Sequence, residues 1–130
     1  RGHVDMIAAF APDGSVLLHR QFDKSHPDEV LWQDQCRVLE DTGFMVRAMP
    51  APRVTRDNIG WVDYSYINHY IGNGFVLVPA FADRTDEHAV EILKDLYPDR
   101  HVESLDARVI FAMGGGIHCI TQQQPVAVGQ

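Results

Sequence analysis

The chain has 130 residues, 45% hydrophobic and 22% charged, which suits one soluble globular domain with a core of its own. Its formal net charge is −7, from 11 Lys and Arg against 18 Asp and Glu, and this excludes the usual electrostatics of nucleic-acid binding. No apolar run approaches the roughly 18 residues that a membrane span needs, so no membrane partner is expected either. In chain order, residues 5–10 read as a short apolar strand. Pro12-Asp13-Gly14 then turns the chain into a second strand over 15–21, making a hairpin. Ser25 reads as an N-cap with Asp28 three residues on, opening a helix that carries Leu31, Trp32, Cys36, Val38 and Leu39 at helical spacing. Gly43 stands where a C-cap belongs, and residues 44–49 form a third strand that Pro50 closes.

Residues 51–60 are polar and interrupted by proline, hence a loop. A strand over 64–71, the turn Gly72-Asn73-Gly74 and a buried strand over 75–81 follow. Thr85 caps a second helix whose Ala89, Leu93, Leu96 and Tyr97 make an apolar stripe, ended by Pro98. A strand over 101–105, a lead-in over 108–113, the glycines and a last strand over 117–123 complete the chain. The expectation is thus an α/β fold in a single domain, 1–130. It has two ββαβ units, about 3–50 and about 61–110, repeating at roughly 60 to 65 residues, then a loop over 111–125.

That loop holds the most informative residues. Gly114-Gly115-Gly116-Ile117-His118-Cys119 is followed by Ile120-Thr121-Gln122-Gln123-Gln124-Pro125. Three glycines cost conformational entropy unless the backbone needs them, and glycine lets main-chain N–H groups crowd a ligand or a thiol. Such donors favour the thiolate, which is the nucleophile. Cys119 therefore reads either as a nucleophile or as a small buried hydrophobe. Cys36, on the apolar face of a helix, reads as core. Two cysteines make neither a metal cluster nor a disulfide framework, so both thiols are expected free in a reducing cytoplasm. The seven histidines are scattered, and no metal or cofactor is expected. Asp83, Asp86 and Glu87 sit where acids favour a helix dipole and receive no function.

His3 and Asp5, two apart on a strand, would project from one face, as a proton carrier and a carboxylate for a cation, or as two solvated residues near a terminus. His118 alternates with Cys119 and is expected on the opposite face, in a structural role. Asn68, among apolar and aromatic neighbours, is either a satisfied structural amide or a contact for substrate.

Taken together these blocks resemble one known family. Gly2-His3-Val4-Asp5 with its strand and turn, Ser65-Tyr66-Ile67-Asn68 with Gly74-Phe75-Val76-Leu77-Val78-Pro79, Pro98-Asp99-Arg100, Asp106-Ala107-Arg108 and the segment around Cys119 occur in order. They are similar to the C-terminal part of the agmatine deiminases, in the family that also holds the bacterial peptidyl-arginine deiminases. The resemblance implies the pentein α/β propeller, five ββαβ blades around a central site, with this chain holding about two of them plus the strand of the cysteine. It implies that Cys119 attacks a guanidinium carbon, that His3 carries protons, and that Asp5 pairs with guanidinium N–H groups. Asn68 would be a substrate or loop contact, with Gly115 and Gly116 as further substrate-binding candidates.

Agmatine would yield N-carbamoylputrescine and ammonia, and the partner would be a small cationic guanidine. Gly116 departs from the Asn that family members often carry before Ile-His-Cys. The family's upstream carboxylates and aromatic wall have no counterpart in this chain. Arg1 is not an initiator Met, and the expectation is an N-terminus that was cut, processed or left out. The alternatives are a catalytically incomplete half-propeller that self-associates through its open edges, and an enzyme for peptidyl-arginine. A homo-oligomer is expected.

Overall fold

The computed structural model describes residues 3–126. Two three-stranded sheets follow one another along the chain, each built in the same order. In the first, β1 (Ala8–Phe10) runs antiparallel to β2 (Val16–Arg20) with Ala8 opposite Leu18 and Phe10 opposite Val16. The chain then crosses over through α1 (Trp32–Asp41) and returns as β3 (Val46–Pro50), parallel to β2. In the second, β4 (Tyr70–Gly72) is antiparallel to β5 (Phe75–Ala80), and α2 (Asp86–Leu96) carries the chain to β6 (His101–Asp106), parallel to β5. A parallel pair needs such a crossover, whereas a tight turn suffices for an antiparallel one. The tight turn of the second sheet rests on Gly74, whose φ of +79° suits a residue without Cβ.

The central strands are the most buried. Val16, Leu17 and Leu18 of β2 are closed to solvent, as are Val76, Val78 and Pro79 of β5. The continuous burial of Val16, Leu17 and Leu18 is what a strand covered on both faces requires, whereas Leu77 between Val76 and Val78 is only half-buried. One core joins the sheets: Leu17 and Met49 from the first meet Tyr66, Val76, Val78, Phe81, Leu93 and Ile117. Phe81 stacks on Tyr64 at 4.3 Å between ring centres and takes Phe111 edge-on at 4.9 Å, so the segment entering the glycine loop is anchored on this core.

The helices differ. α2 buries Ala89 and Leu93, but α1 buries no residue, and Val30, Leu31 and Val38 on or beside it are exposed. Cys36 is therefore half-buried rather than a core residue. The first helix also begins later than expected. Asp23 Oδ1 accepts from both the Ser25 N–H and the Ser25 hydroxyl, so Ser25 completes an Asx turn instead of capping. A 3-10 turn over Glu29–Leu31 then leads into α1. Thr85 does stand at the N-cap of α2 but makes no side-chain cap bond, and the loop before the helix is held instead by Asp83 and Asp86.

Four further expectations change. Residues 4–6 form a 3-10 turn, Val4–Met6, and β1 starts only at Ala8. Residues 66–68 form another, Tyr66–Asn68, before β4. The lead-in to the glycines is a short helix, α3 (Arg108–Ala112). Residues 118–120 are a further 3-10 turn and not a strand. Arg1 and Gly2, the latter part of the first sequence block, lie outside the described residues. No helix among the described residues is long and apolar enough to cross a membrane.

Candidate functional site

Those three unexpected turns meet at one place. Val4–Met6 brings Asp5, Tyr66–Asn68 brings Asn68, and His118–Ile120 brings His118 and Cys119. Ser65 joins the first two. Its Oγ accepts from the Ile67 N–H at 3.2 Å, capping its own turn, and donates to the Met6 carbonyl at 2.8 Å. Its single hydroxyl proton being committed to Met6, the contact of 3.1 Å with His19 Nδ1 requires that nitrogen to carry the hydrogen. The third turn is delivered by Ile117, a core residue next to the glycines.

Asp5 Oδ2 is the hub. It accepts from His118 Nδ1 at 3.0 Å, from Asn68 Nδ2 at 3.1 Å and from the Cys119 thiol at 3.3 Å. Burial pushes the Asp5 carboxyl upward. Hydrogen bonds from His118 and Cys119, the charge of His118 and the bond from Asn68 outweigh it and hold the group below the ordinary aspartate value. Beside the hub His69 is buried, bonded through Nδ1 to the Tyr66 carbonyl at 3.0 Å, and burial favours its neutral form. Cys119 and His118 are exposed, so the sulfur can be reached from solvent.

The residues singled out in the sequence fare differently. Cys119, Asp5 and Asn68 come together. His3 stands at the N-cap of the first turn with an exposed imidazole, and its carbonyl accepts from the Met6 N–H at 3.1 Å. Among the described residues no hydrogen bond joins the His3 ring to Cys119 or Asp5; the strand geometry that would align His3 with Asp5 is absent because this segment coils. His118, expected on the far side of Cys119, reaches the same carboxylate oxygen, since neighbours in a 3-10 turn are not alternated across a strand. Asn68 is fully buried and satisfied by protein groups. Gly115 approaches Cys119: a Cβ there would lie 3.5 Å from Cys119 Cβ, an ordinary contact. Gly116 is different, since a Cβ there would lie 2.1 Å from Asn68 Oδ1. Ser65 was not singled out by itself, although a serine just before Tyr66-Ile67-Asn68 is the usual N-cap signal.

Two clefts, of about 590 and 760 Å³, lie elsewhere, the first near Asp13, Arg47 and Leu96, the second near Asp23, Arg53 and His88. Neither includes the Asp5–Cys119 cluster. Among the described residues no group of three or more His, Cys, Asp or Glu could hold a metal ion. Chemically, the cluster offers a reachable thiol, a carboxylate kept ionised within 3.3 Å of it, and the His118 imidazole on the same carboxylate oxygen.

Comparison with known proteins bears on this arrangement. The model of the Porphyromonas-type peptidyl-arginine deiminase family matches residues 1–125. A Streptomyces coelicolor protein, provisionally named an agmatine deiminase, is 50% identical over 132 residues, covering 96% of this chain and 39% of the relative. A structure provisionally named an arginine deiminase from Porphyromonas gingivalis superposes with a TM-score of 0.87 at 28% identity, covering 95% of this chain and 38% of that one. The structure of the agmatine deiminase of Enterococcus faecalis catalysing its reaction superposes with a TM-score of 0.81 at 27% identity, covering 95% and 40%. The chain thus spans about two fifths of the length of the relatives it matches.

Proposed function

The chain belongs to the Porphyromonas-type peptidyl-arginine deiminase family, and on that footing we propose that it carries the nucleophile of a guanidine iminohydrolase acting on agmatine. The observation that carries this reading is the 3.3 Å between Cys119 Sγ and Asp5 Oδ2. A carboxylate so close to the sulfur is the natural anchor for a planar cationic fork. A guanidinium bound on Asp5 takes over the donors' place on Oδ2 and sets its central carbon beside the sulfur. Its positive charge also favours the thiolate.

The sulfur then bonds to the guanidinium carbon, giving a tetrahedral adduct. The C–N bond to one amino group breaks, ammonia departs with a proton supplied by His3, and an amidino-thioether remains on Cys119. Water, giving its proton back to His3, attacks the same carbon. The C–S bond breaks, freeing the thiolate and, in the case of agmatine, N-carbamoylputrescine. His3 suits this task because its exposed imidazole can give up a proton and take one back. The chemistry uses no metal or cofactor.

The whole enzyme, in this reading, is a pentein propeller in which the two ββαβ units are consecutive blades. The repeated sheet order and the superpositions support it. Exposed Val30, Leu31 and Val38 favour self-association of this chain when nothing else covers them. Formation of ammonia and ureido product from agmatine, with an arginine-containing peptide in parallel, tests the assignment. Product that disappears in Cys119→Ser, with a covalent adduct on Cys119 in acid-quenched wild type, is the expected result. Turnover that survives in Cys119→Ser sinks it, and turnover of the peptide alone moves the substrate to peptidyl-arginine.

A further inference from the structure

We propose, resting on the assignment of Cys119 as nucleophile, that Asn68 is the positioning residue of this site: a buried amide clamp that holds the Cys119 turn to the Asp5 turn, for which Gly116 makes the room. Asn68 is 0% exposed, so it presents nothing to a substrate. Its Oδ1 accepts from the main-chain N–H of His118 at 2.9 Å, fixing the backbone one residue before the sulfur. Its Nδ2 reaches the Asp5 carbonyl at 3.2 Å and Asp5 Oδ2 at 3.1 Å, fixing both the backbone and the side chain of the carboxylate. The same Nδ2 lies 3.4 Å from Cys119 Sγ.

An amide nitrogen has two hydrogens, and three acceptors converge on this one. One hydrogen serves the Asp5 carbonyl, and Asp5 Oδ2 and Sγ compete for the other. When a cation occupies Oδ2 and the thiol has lost its proton, that hydrogen turns to the sulfur without any heavy atom moving. Beside its two backbone partners, the His118 N–H and the Asp5 carbonyl, this amide reaches the carboxylate and the thiol of the reaction.

Gly116 supplies the independent observation. Its φ is not in the left-handed region, so flexibility does not explain the glycine. Space does: a Cβ would stand 2.1 Å from Asn68 Oδ1, 2.6 Å from Asn68 Cγ and 2.8 Å from Phe111 Cζ. The first two contacts belong to the clamp itself, and the third is the far end of a ring that can shift.

The test is a double-mutant cycle with an activity-independent readout. Asn68→Ala and Gly116→Ala are each expected to lower kcat about a hundredfold with KM changed less than about threefold, because misplacement of the sulfur is a defect of the chemical step. The double variant Asn68→Ala/Gly116→Ala loses about the same hundredfold and not the ~10⁴-fold product, since the clash has no partner once the amide is gone. By NMR, the His118 amide hydrogen exchanges slowly in wild type and fast in both single variants.

A multiplicative double variant, a raised KM with unchanged kcat, or wild-type turnover in Asn68→Ala overturns the proposal. Should Asn68→Ala fail to fold, Asn68→Asp decides. It keeps the volume and the acceptor for His118 but loses the donors, so the amide stays protected while kcat falls; unchanged kcat overturns the clamp. If the wild type deiminates nothing, the functional reading fails by itself, and the exchange of the His118 amide still decides the clamp: protection unchanged in both single variants overturns it.

Discussion

Asp5 Oδ2 and His118 Nδ1 stand 3.0 Å apart although 113 residues separate them in the chain. The pair lies at the surface, with 46% of the His118 side chain and 23% of the Asp5 side chain accessible, so its direct worth to folding is at most about 1 kcal/mol. Its consequence is electrostatic. His118 lowers Asp5 twice over, by its bond and by its charge, against the burial that raises it. His118→Ala removes both influences, and Asp5 moves up. If an ionised Asp5 is needed to bind the cation, the acid limb of kcat/KM for agmatine shifts to higher pH in this variant. His118→Gln, which retains a donor but no charge, shifts it less. A pH profile identical to wild type in both variants separates His118 from the site.

Thiol chemistry provides a second expectation. Cys119 is exposed, whereas Cys36 is half-buried on α1, where burial and the neighbouring Glu40 push its thiol upward against the pull of Arg20. Iodoacetamide at neutral pH should therefore alkylate Cys119 first, and saturating agmatine should slow that step while leaving Cys36 unaffected. Peptide mapping by mass spectrometry reads both rates. Preferential labelling of Cys36, or no protection by agmatine, contradicts the assignment of the nucleophile.

The two ββαβ units were legible because their signals are local. Pro12-Asp13-Gly14 and Gly72-Asn73-Gly74 mark the hairpins, and the Ala89–Leu93 stripe marks α2. What failed was the short irregular structure. Residues 4–6, 66–68 and 118–120 are apolar enough to read as strand, yet each coils around a side-chain partner: Ser65 reaches the first across the fold and caps the second from its own N-cap, and Asn68 holds the third across the fold. Periodicity carries no information about such partners. Hence Asp5, Asn68 and Cys119 could be picked out by residue type and resemblance, while the role of His118 could not. It depends on a turn that sets adjacent side chains on one carboxylate, where an alternating strand would have parted them. The reason for Gly116 was equally hidden, since a sequence shows that a glycine is present and not what would collide with a Cβ.

Asp86 ties the second unit together. Its Oδ1 accepts from the Tyr66 hydroxyl at 2.7 Å and from the Phe81 N–H at 3.1 Å, and its Oδ2 accepts from the Asp83 N–H at 2.9 Å. Tyr66 is fully buried, so losing this acceptor strands a phenol inside the core. Asp86→Ala should cost about 2 to 4 kcal/mol in unfolding free energy, from the stranded hydroxyl and the freed main-chain donors together. Asp86→Asn, which keeps one acceptor oxygen, should cost about half as much. Urea titration measures both. Because Tyr66 opens the turn that holds Asn68, Asp86→Ala should also slow any turnover; an unchanged urea midpoint removes Asp86 from this account.

His19 predicts how the fold responds to acid. Largely buried on β2 beside Ser65, it is lowered from the usual 6.5 to about 4, chiefly by desolvation, with Asp28 opposing and His26 assisting. In the unfolded chain it titrates normally. Between pH 6.5 and 4 the unfolded state therefore binds more protons, so stability is full above pH 6.5 and falls as the pH drops toward 4. For His19 alone the loss across that window is about 3 kcal/mol, and the buried, likewise lowered His69 adds to it with the same sign. The low carboxylates act elsewhere. Asp13 and Asp106, held at about 2 by Ser15 and Arg47 and by Arg108, lose their contributions only below their ordinary value of 3.8. The two windows can thus be read separately in urea titrations from pH 7 to pH 3. His19→Gln should shrink the upper window to the share of His69 and leave the lower one unchanged, and a wild type equally stable at pH 6.5 and pH 4.5 would mean that His19 is not buried neutral at the seam of the two sheets.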